Sequence, residues 1–268
     1  MATTESRTEG RPAAQAGVQD ASQPKAPAGM SRPARTAPSA WAQYRTLLAK
    51  DVRMELRTRD MIVSMGVYAL LVLTVYGATL SQTGDSLDVL SVAAGLLWAL
   101  IVFTSLLGLN RSFSHETADG CLEGVLLAPV SRGAIFFAKA TSNFLFLAVV
   151  EIIAVPLFFL FFLGSAQVAE TAPLIVLPLL VGTIGVASVG TFLSTMTIDT
   201  RGKDVLLAIL FIPLIFPLLY ACVSSTAVAL SGVEGQMVTL WRSLALAGGY
   251  DVIMAAVAWS LYDFVVGS

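Results

Sequence analysis

Charge is spaced along this chain so that little but membrane-spanning helices can form. Asp60 and Asp85 enclose an uncharged apolar run, and Asp88 and Arg111 enclose another. Between Lys139 and Glu170 the only charge is Glu151. Glu170 to Asp199 and Asp204 to Glu234 are charge-free inside, and beyond Arg242 only Asp251 and Asp263 interrupt the apolar chain. A helix crosses hydrocarbon with roughly 20 apolar residues, since every backbone N–H and C=O must find its partner within the segment. All six runs are long enough, which predicts spans at about 61–82, 89–109, 139–163, 173–196, 205–230 and 243–266. Charged residues make up 13% of the chain, against about 25% in soluble domains, too few to cover a soluble surface. The expected fold class is an all-α integral membrane protein.

Residues 1–39 are rich in Ala, Pro, Ser, Thr and Gln without apolar periodicity. Such a segment buries too little to offset its ordering entropy, and it lacks the apolar core of a secretory signal. A disordered tail is expected there. The pattern changes at 41–59, "WAQYRTLLAKDVRMELRTR". Trp41, Tyr44, Leu48, Val52 and Leu56 recur at helical spacing, and Arg45, Lys50, Arg53, Arg57 and Arg59 occupy the rest, softened by Asp51 and Glu55. A basic amphipathic helix immediately before a span predicts an interfacial helix lying along the membrane.

Lys and Arg are concentrated in cytoplasmic segments. With the N-terminus inside, fifteen of the sixteen basic residues face one way, and only Arg242 lies at an outer helix end. Both termini are therefore expected in the cytoplasm. Within the spans, "GTIGVASVGTFLS" (Gly182 to Ser194) is dense in small residues, which let helix backbones approach closely in lipid. Pro156, Pro213 and Pro217 are expected to kink their spans. Cys121 and Cys222 form no metal or redox spacing and are read as small buried or half-buried thiols.

No GxxxxGK[ST] loop is present, so ATP binding through a P-loop falls to another chain. Nor are HExxH, GxSxG or paired histidines found, which argues against a metalloenzyme or hydrolase. No feature suggests a nucleic-acid partner. The polar chemistry gathers instead between the second and third spans, in "LLGLNRSFSHETADGCLEGVLLAPVSRGAIFFAK" (Leu106 to Lys139). Leu122, Val125 and Leu126 share a face at helical spacing, Glu116, Asp119 and Glu123 precede or enter the turn, and Pro129 ends it. A short helix with one exposed apolar side calls for a partner.

The pattern of Glu116, Gly120 to Glu123, Leu126–Leu127, Pro129, Arg132 and Lys139 resembles the loop after the second span of ABC-2-type permeases. More narrowly, the stretch from Gly95 to Lys139 and "NFLFLAVVEIIAVPLF" resemble the CcmB family of haem exporter permeases, part of the cytochrome c maturation system. The resemblance covers about residues 41–268 and is strongest from Gly95 to Phe158. It implies a six-helix ABC-2-type permease half whose loop 110–138 couples to an ABC ATPase subunit, working as a pair. Glu116, Asp119, Gly120, Leu122, Glu123, Leu126, Pro129 and Arg132 are the coupling residues it implies. It also implies a haem-handling membrane partner, a small single-span subunit, a periplasmic haem chaperone reached indirectly, and a second copy of the chain as the other half. Haem is then cargo of the complex, ATP is bound by the partner, and the location is a bacterial inner membrane. The readings in competition are a general ABC-2 exporter for drugs or polysaccharide intermediates, against which GLNRSF argues, and a membrane scaffold without a transport cycle.

His115, the single histidine, has haem-ligand chemistry, but its place beside the coupling segment argues for a surface residue or an ATPase contact. Without CxxCH or a tryptophan-rich stretch, the chain leans towards driving release of a loaded chaperone rather than conducting haem. Glu151 is an intramembrane carboxylate, costly in lipid and a functional candidate by default, with an interhelical packing bond as the competing reading. Asp251 is assigned to the outer headgroup layer or to a subunit interface, and Asp263 to the cytoplasmic interface.

Overall fold

The computed structural model describes residues 39–83, 89–118, 131–162, 165–197, 200, 202–232 and 236–265, with side chains left out at 83, 113–118, 165–172 and 262–265. Among these residues seven helices form and no strand. They are α1 (Ala40–Thr58), α2 (Asp60–Thr83), α3 (Val89–Ala118), α4 (Arg132–Phe162), α5 (Ser165–Thr197), α6 (Lys203–Ser231) and α7 (Met237–Val265). Six of them, α2 to α7, are long and apolar enough to cross a membrane. The expected tail 1–39 lies outside the described residues apart from Ser39, whose side chain accepts from Ala42 N and starts α1.

Helix bounds depart from the expected spans around the polar loop and at the starts of α5 and α7, which begin at Ser165 and Met237 rather than 173 and 243. The expected second span ends near 109, but α3 runs on to Ala118; the expected third begins at 139, but α4 begins at Arg132. Backbone hydrogen bonds need no hydrocarbon to persist, so the helices project past the apolar band, and the expected loop 110–138 is shortened from both sides.

Successive spans alternate in direction. Contacts of Met61 and Met65 with Gly108, Leu109 with Gly190, Leu218 with Gly185, Cys222 with Gly182, and Trp259 with Gly133 set the register. They place the ends of α3, α5 and α7 beside the starts of α2, α4 and α6, at the end that carries α1. Every described lysine and arginine except Arg242 lies at that end.

α5 is the hub, packed on α3, α4, α6 and α7, with 56% of its spanning window buried. Its glycines explain the position. A Cβ at Gly182 would sit 2.0 Å from the Trp98 ring, and one at Gly190 would sit 2.1 Å from Leu109. In lipid, where apolar burial gives no net pull between helices, such close approach supplies the contact area. The small-residue run is therefore a packing surface. Trp98 is 1% exposed, and its indole N–H finds a partner in Thr226 Oγ1 of α6 at 3.0 Å. α6 continues through Pro213 and Pro217, and between the two prolines the Leu214 carbonyl accepts from the Tyr250 hydroxyl of α7. Cys222 is buried and free; Cys121 lies outside the described residues.

The outer surface is apolar: Val67, Leu71, Ile152, Leu160, Phe216 and Val252 are all exposed. In water this would be an aggregation surface; around a bundle it is the lipid-facing girdle.

Candidate functional site

Two groups of polar residues stand out, one where α1 meets the start of α4 and one inside the bundle. α1 turns Gln43, Asp51 and Glu55 inward, all three buried. Their spacings are multiples of four, so they form one row on one face. Gln43 Oε1 accepts from Ser131 N at 2.9 Å, immediately before α4 begins. Tyr44 donates its hydroxyl to Thr141 Oγ1 at 3.2 Å. Further along the row, Asp51 Oδ2 takes Lys139 Nζ at 3.9 Å and Ser142 Oγ at 3.5 Å, while Lys50 Nζ reaches Oδ1 at 3.4 Å.

The same row closes the corner into the first span. Glu55 Oε1 accepts from Ile62 N at 2.9 Å, which places a carboxylate on the exposed N–H groups of α2. Between the helices Arg59 adopts the left-handed region at φ 59°. That conformation costs an L-residue roughly 1–2 kcal/mol and is offset here by the Arg59 N bond to Glu55 O at 2.7 Å. Asp51 and Glu55, which the sequence presents as softening the charge of a basic helix, are instead its fastenings to the bundle. The signal is present as a 43–51–55 polar row, but a helical wheel cannot say which face meets protein.

The coupling residues read from the sequence are only partly visible. Glu116 lies in the last turn of α3, with its side chain outside the described residues, as is that of His115. Asp119, Gly120, Leu122, Glu123, Leu126 and Pro129 lie outside the described residues. Arg132 is the first residue of α4 and lines a cleft of about 900 Å³ with Trp41, Tyr44, Phe137 and Trp259. The structure thus brings the two flanks of the 119–130 segment to the end where α1 is fastened.

Inside the bundle, the Thr183 hydroxyl of α5 lies 2.8 Å from each Glu151 oxygen on α4 and 2.7 Å from Leu179 O. Glu151 also borders a cavity of about 10 Å³, shared with Thr104 of α3. Two turns towards the α1 end, Asn143 donates to Thr191 Oγ1 at 2.9 Å. Asp251 corrects the sequence reading: it lies neither at a headgroup layer nor on an outer face, but buried against α5 and α6, its Oδ1 in the space a Cβ on Gly185 would need. The absent side chain at Gly185 is what admits it. Among the described residues no group of three metal-ligating side chains occurs.

Glu151→Gln is expected to keep the Thr183 contact and leave assembly unchanged, because an amide of the same shape still offers an acceptor. Glu151→Leu should weaken the α4–α5 contact by about 1 kcal/mol, the typical value of an interhelical hydrogen bond in lipid. Thermal melting of the purified chain reads the difference. A Gln variant that assembles normally yet abolishes activity would show that the carboxylate does more than pack.

The sequence comparisons agree with this architecture. The CcmB protein family matches residues 42–262, from the first turn of α1 into the last turn of α7. Heme exporter protein B of Pseudomonas aeruginosa is 27% identical over 198 residues, covering 74% of this chain and 86% of that protein. Its counterpart in Rhodobacter capsulatus is 28% identical over 178 residues, covering 65% and 78%. That of Paracoccus denitrificans is 28% identical over 177 residues, with the same coverage. With nearly all of α1 and all six spans inside the matched range, the chain belongs to the CcmB protein family.

Proposed function

We propose that this chain is the membrane permease subunit of an ABC-type haem exporter complex serving c-type cytochrome maturation. The observation that carries the proposal is the family match across the whole helical bundle, joined by relatives whose name is Heme exporter protein B. The fold supports a mechanical role. α3 and α4 are continuous helices that flank the 119–130 segment, and α1 is fastened to the start of α4. A push on that segment moves α4 directly, and moves α2 through Asp51 and Glu55.

Hydrolysis belongs to a separate ABC ATPase, acting as a pair on Glu116, Asp119, Gly120, Leu122, Glu123, Leu126, Pro129 and Arg132. The basic end of the bundle faces the cytoplasm of a bacterial inner membrane, following the Lys/Arg bias, and puts both termini there. A haem-handling membrane partner, a small single-span subunit and a second permease half complete the complex. Its output is haem transfer, or release of the haem-loaded periplasmic chaperone.

The test is to purify the chain with its native partners and to reverse Glu116 and Glu123 to Lys. An ATPase should co-purify, and its activity should fall to that of the free subunit in the variant while the membrane partners remain. Absence of any ATPase overturns the reading. A co-purifying ATPase without loss of c-type cytochromes on deletion would assign the chain to general export.

A further inference from the structure

The inward turn of the α1 acids has a consequence for the helix's other side. Asp51 and Glu55 are spent on Lys139, Ser142 and the N-terminus of α2, so they do not neutralise Arg45, Arg53 and Arg57, which stay exposed. Among the described residues no carboxylate lies within ion-pair distance of these three arginines. They border a groove of about 980 Å³ between α1 and Leu145 of α4, whose floor includes Leu48 and Val52. Beyond Leu145 the exposed face of α4 stays apolar through Val149, Ile152 and Ile153. That stretch of helix, rising about 1.5 Å per residue, adds about 12 Å of greasy track leading away from the cations.

A ligand that fits must carry a negative head and a long apolar body. A soluble anion or an acidic protein helix would engage the arginines alone; only a lipid engages both them and the track, which lies in the lipid-facing girdle. Trp41 and Leu56, 67% and 63% exposed on the same helix, set α1 at the depth where headgroups lie. We infer that the α1–α4 groove is a binding site for an anionic glycerophospholipid. Its phosphate sits between Arg53 and Arg57, neighbours one turn apart; Arg45 reaches the headgroup from the other end, and the acyl chains lie along Leu145 to Ile153. Lys50, also on the groove, leans to Asp51 and links the bound head to the clamp on α4. The site depends on the charge segregation of α1 and is independent of the cargo.

The full-length chain in nanodiscs of phosphatidylcholine, with and without phosphatidylglycerol, is the material, and native mass spectrometry counts the lipid retained. The wild type should hold phosphatidylglycerol in preference to phosphatidylcholine. Each juxtamembrane Arg is worth about five-fold in affinity, so R45Q/R53Q/R57Q should lose roughly a hundredfold. R242Q, at the opposite end, should lose nothing. If the triple variant does not fold, R53Q alone should show the five-fold loss. Equal retention of the two lipids by the wild type overturns the inference, as does an unchanged preference in the folded triple variant. Displacement of the lipid by millimolar inorganic phosphate would make this a soluble-anion site. Loss of ATPase co-purification with the lipid preference intact would assign the face to a protein partner. Either of those results also overturns it.

Discussion

Lys139→Met is expected to destabilise the chain by about 3 kcal/mol, the typical cost of removing one partner from a buried ion pair. Lys139 and Asp51 are 11% and 9% exposed at their side chains, so water compensates neither well. The Asp51 carboxylate would keep Lys50 and Ser142, but Lys50 is more than a third exposed and contributes less. The damage should be local: α1 should loosen from α4, and trypsin should cut at Arg45, Arg53 and Arg57 well before the bundle melts. The double variant Asp51→Leu/Lys139→Met should recover most of the loss, since replacing a whole buried pair by apolar groups is close to neutral. Thermal melting in detergent and the tryptic time course measure both. Unchanged cleavage in the single variant would mean that the Gln43–Ser131 and Tyr44–Thr141 bonds hold α1 by themselves.

Gly182→Val should be worse. The first added carbon alone would lie 2.0 Å from Trp98 and 3.0 Å from Cys222. The indole cannot simply swing aside, because its N–H is committed to Thr226 across the bundle. Overpacking of a closed core costs typically about 1–3 kcal/mol and occasionally more; here it strikes the hub helix against a ring that cannot yield, so the cost should exceed that range and folded yield should collapse. Gly182→Ala should fall in the typical range and be partly rescued by Trp98→Leu, which vacates the ring's volume at the expense of the Thr226 bond. A Gly182→Val variant with wild-type melting would mean that α3 and α5 separate more easily than their packing implies.

Sequence and structure agree unevenly, and the pattern has a physical cause. Six apolar runs, four charge-free and two broken only by Glu151, Asp251 and Asp263, suffice for six apolar helices, because in lipid a backbone without water has hardly any other choice. The small-residue stretch from Gly182 is legible as a packing surface for a similar reason. Glu151 is legible as costly, but not its partner Thr183, which sits a helix away. The coupling residues rest on a resemblance carried by local spacing, and most of them lie outside the described residues.

α1 is where the two sources diverge most. Its amphipathic periodicity is a local property and open to reading. Which face meets protein is not local, since it is set by Ser131, Lys139 and Ser142, some ninety residues away. Asp51 and Asp251 change role for that reason: a carboxylate's position in the chain fixes its depth, but the helix packed against it decides whether it is solvated, paired or enclosed. The amino-acid sequence by itself determined the membrane class, the number of spans and the placement of nearly all positive charge at one end, because these follow from the cost of burying charge and backbone in hydrocarbon. Only the tertiary structure decided that α5 is the hub, that α1 is clamped to α4 by Asp51, and that three arginines are left exposed away from that clamp, because each depends on contacts between residues far apart in the chain.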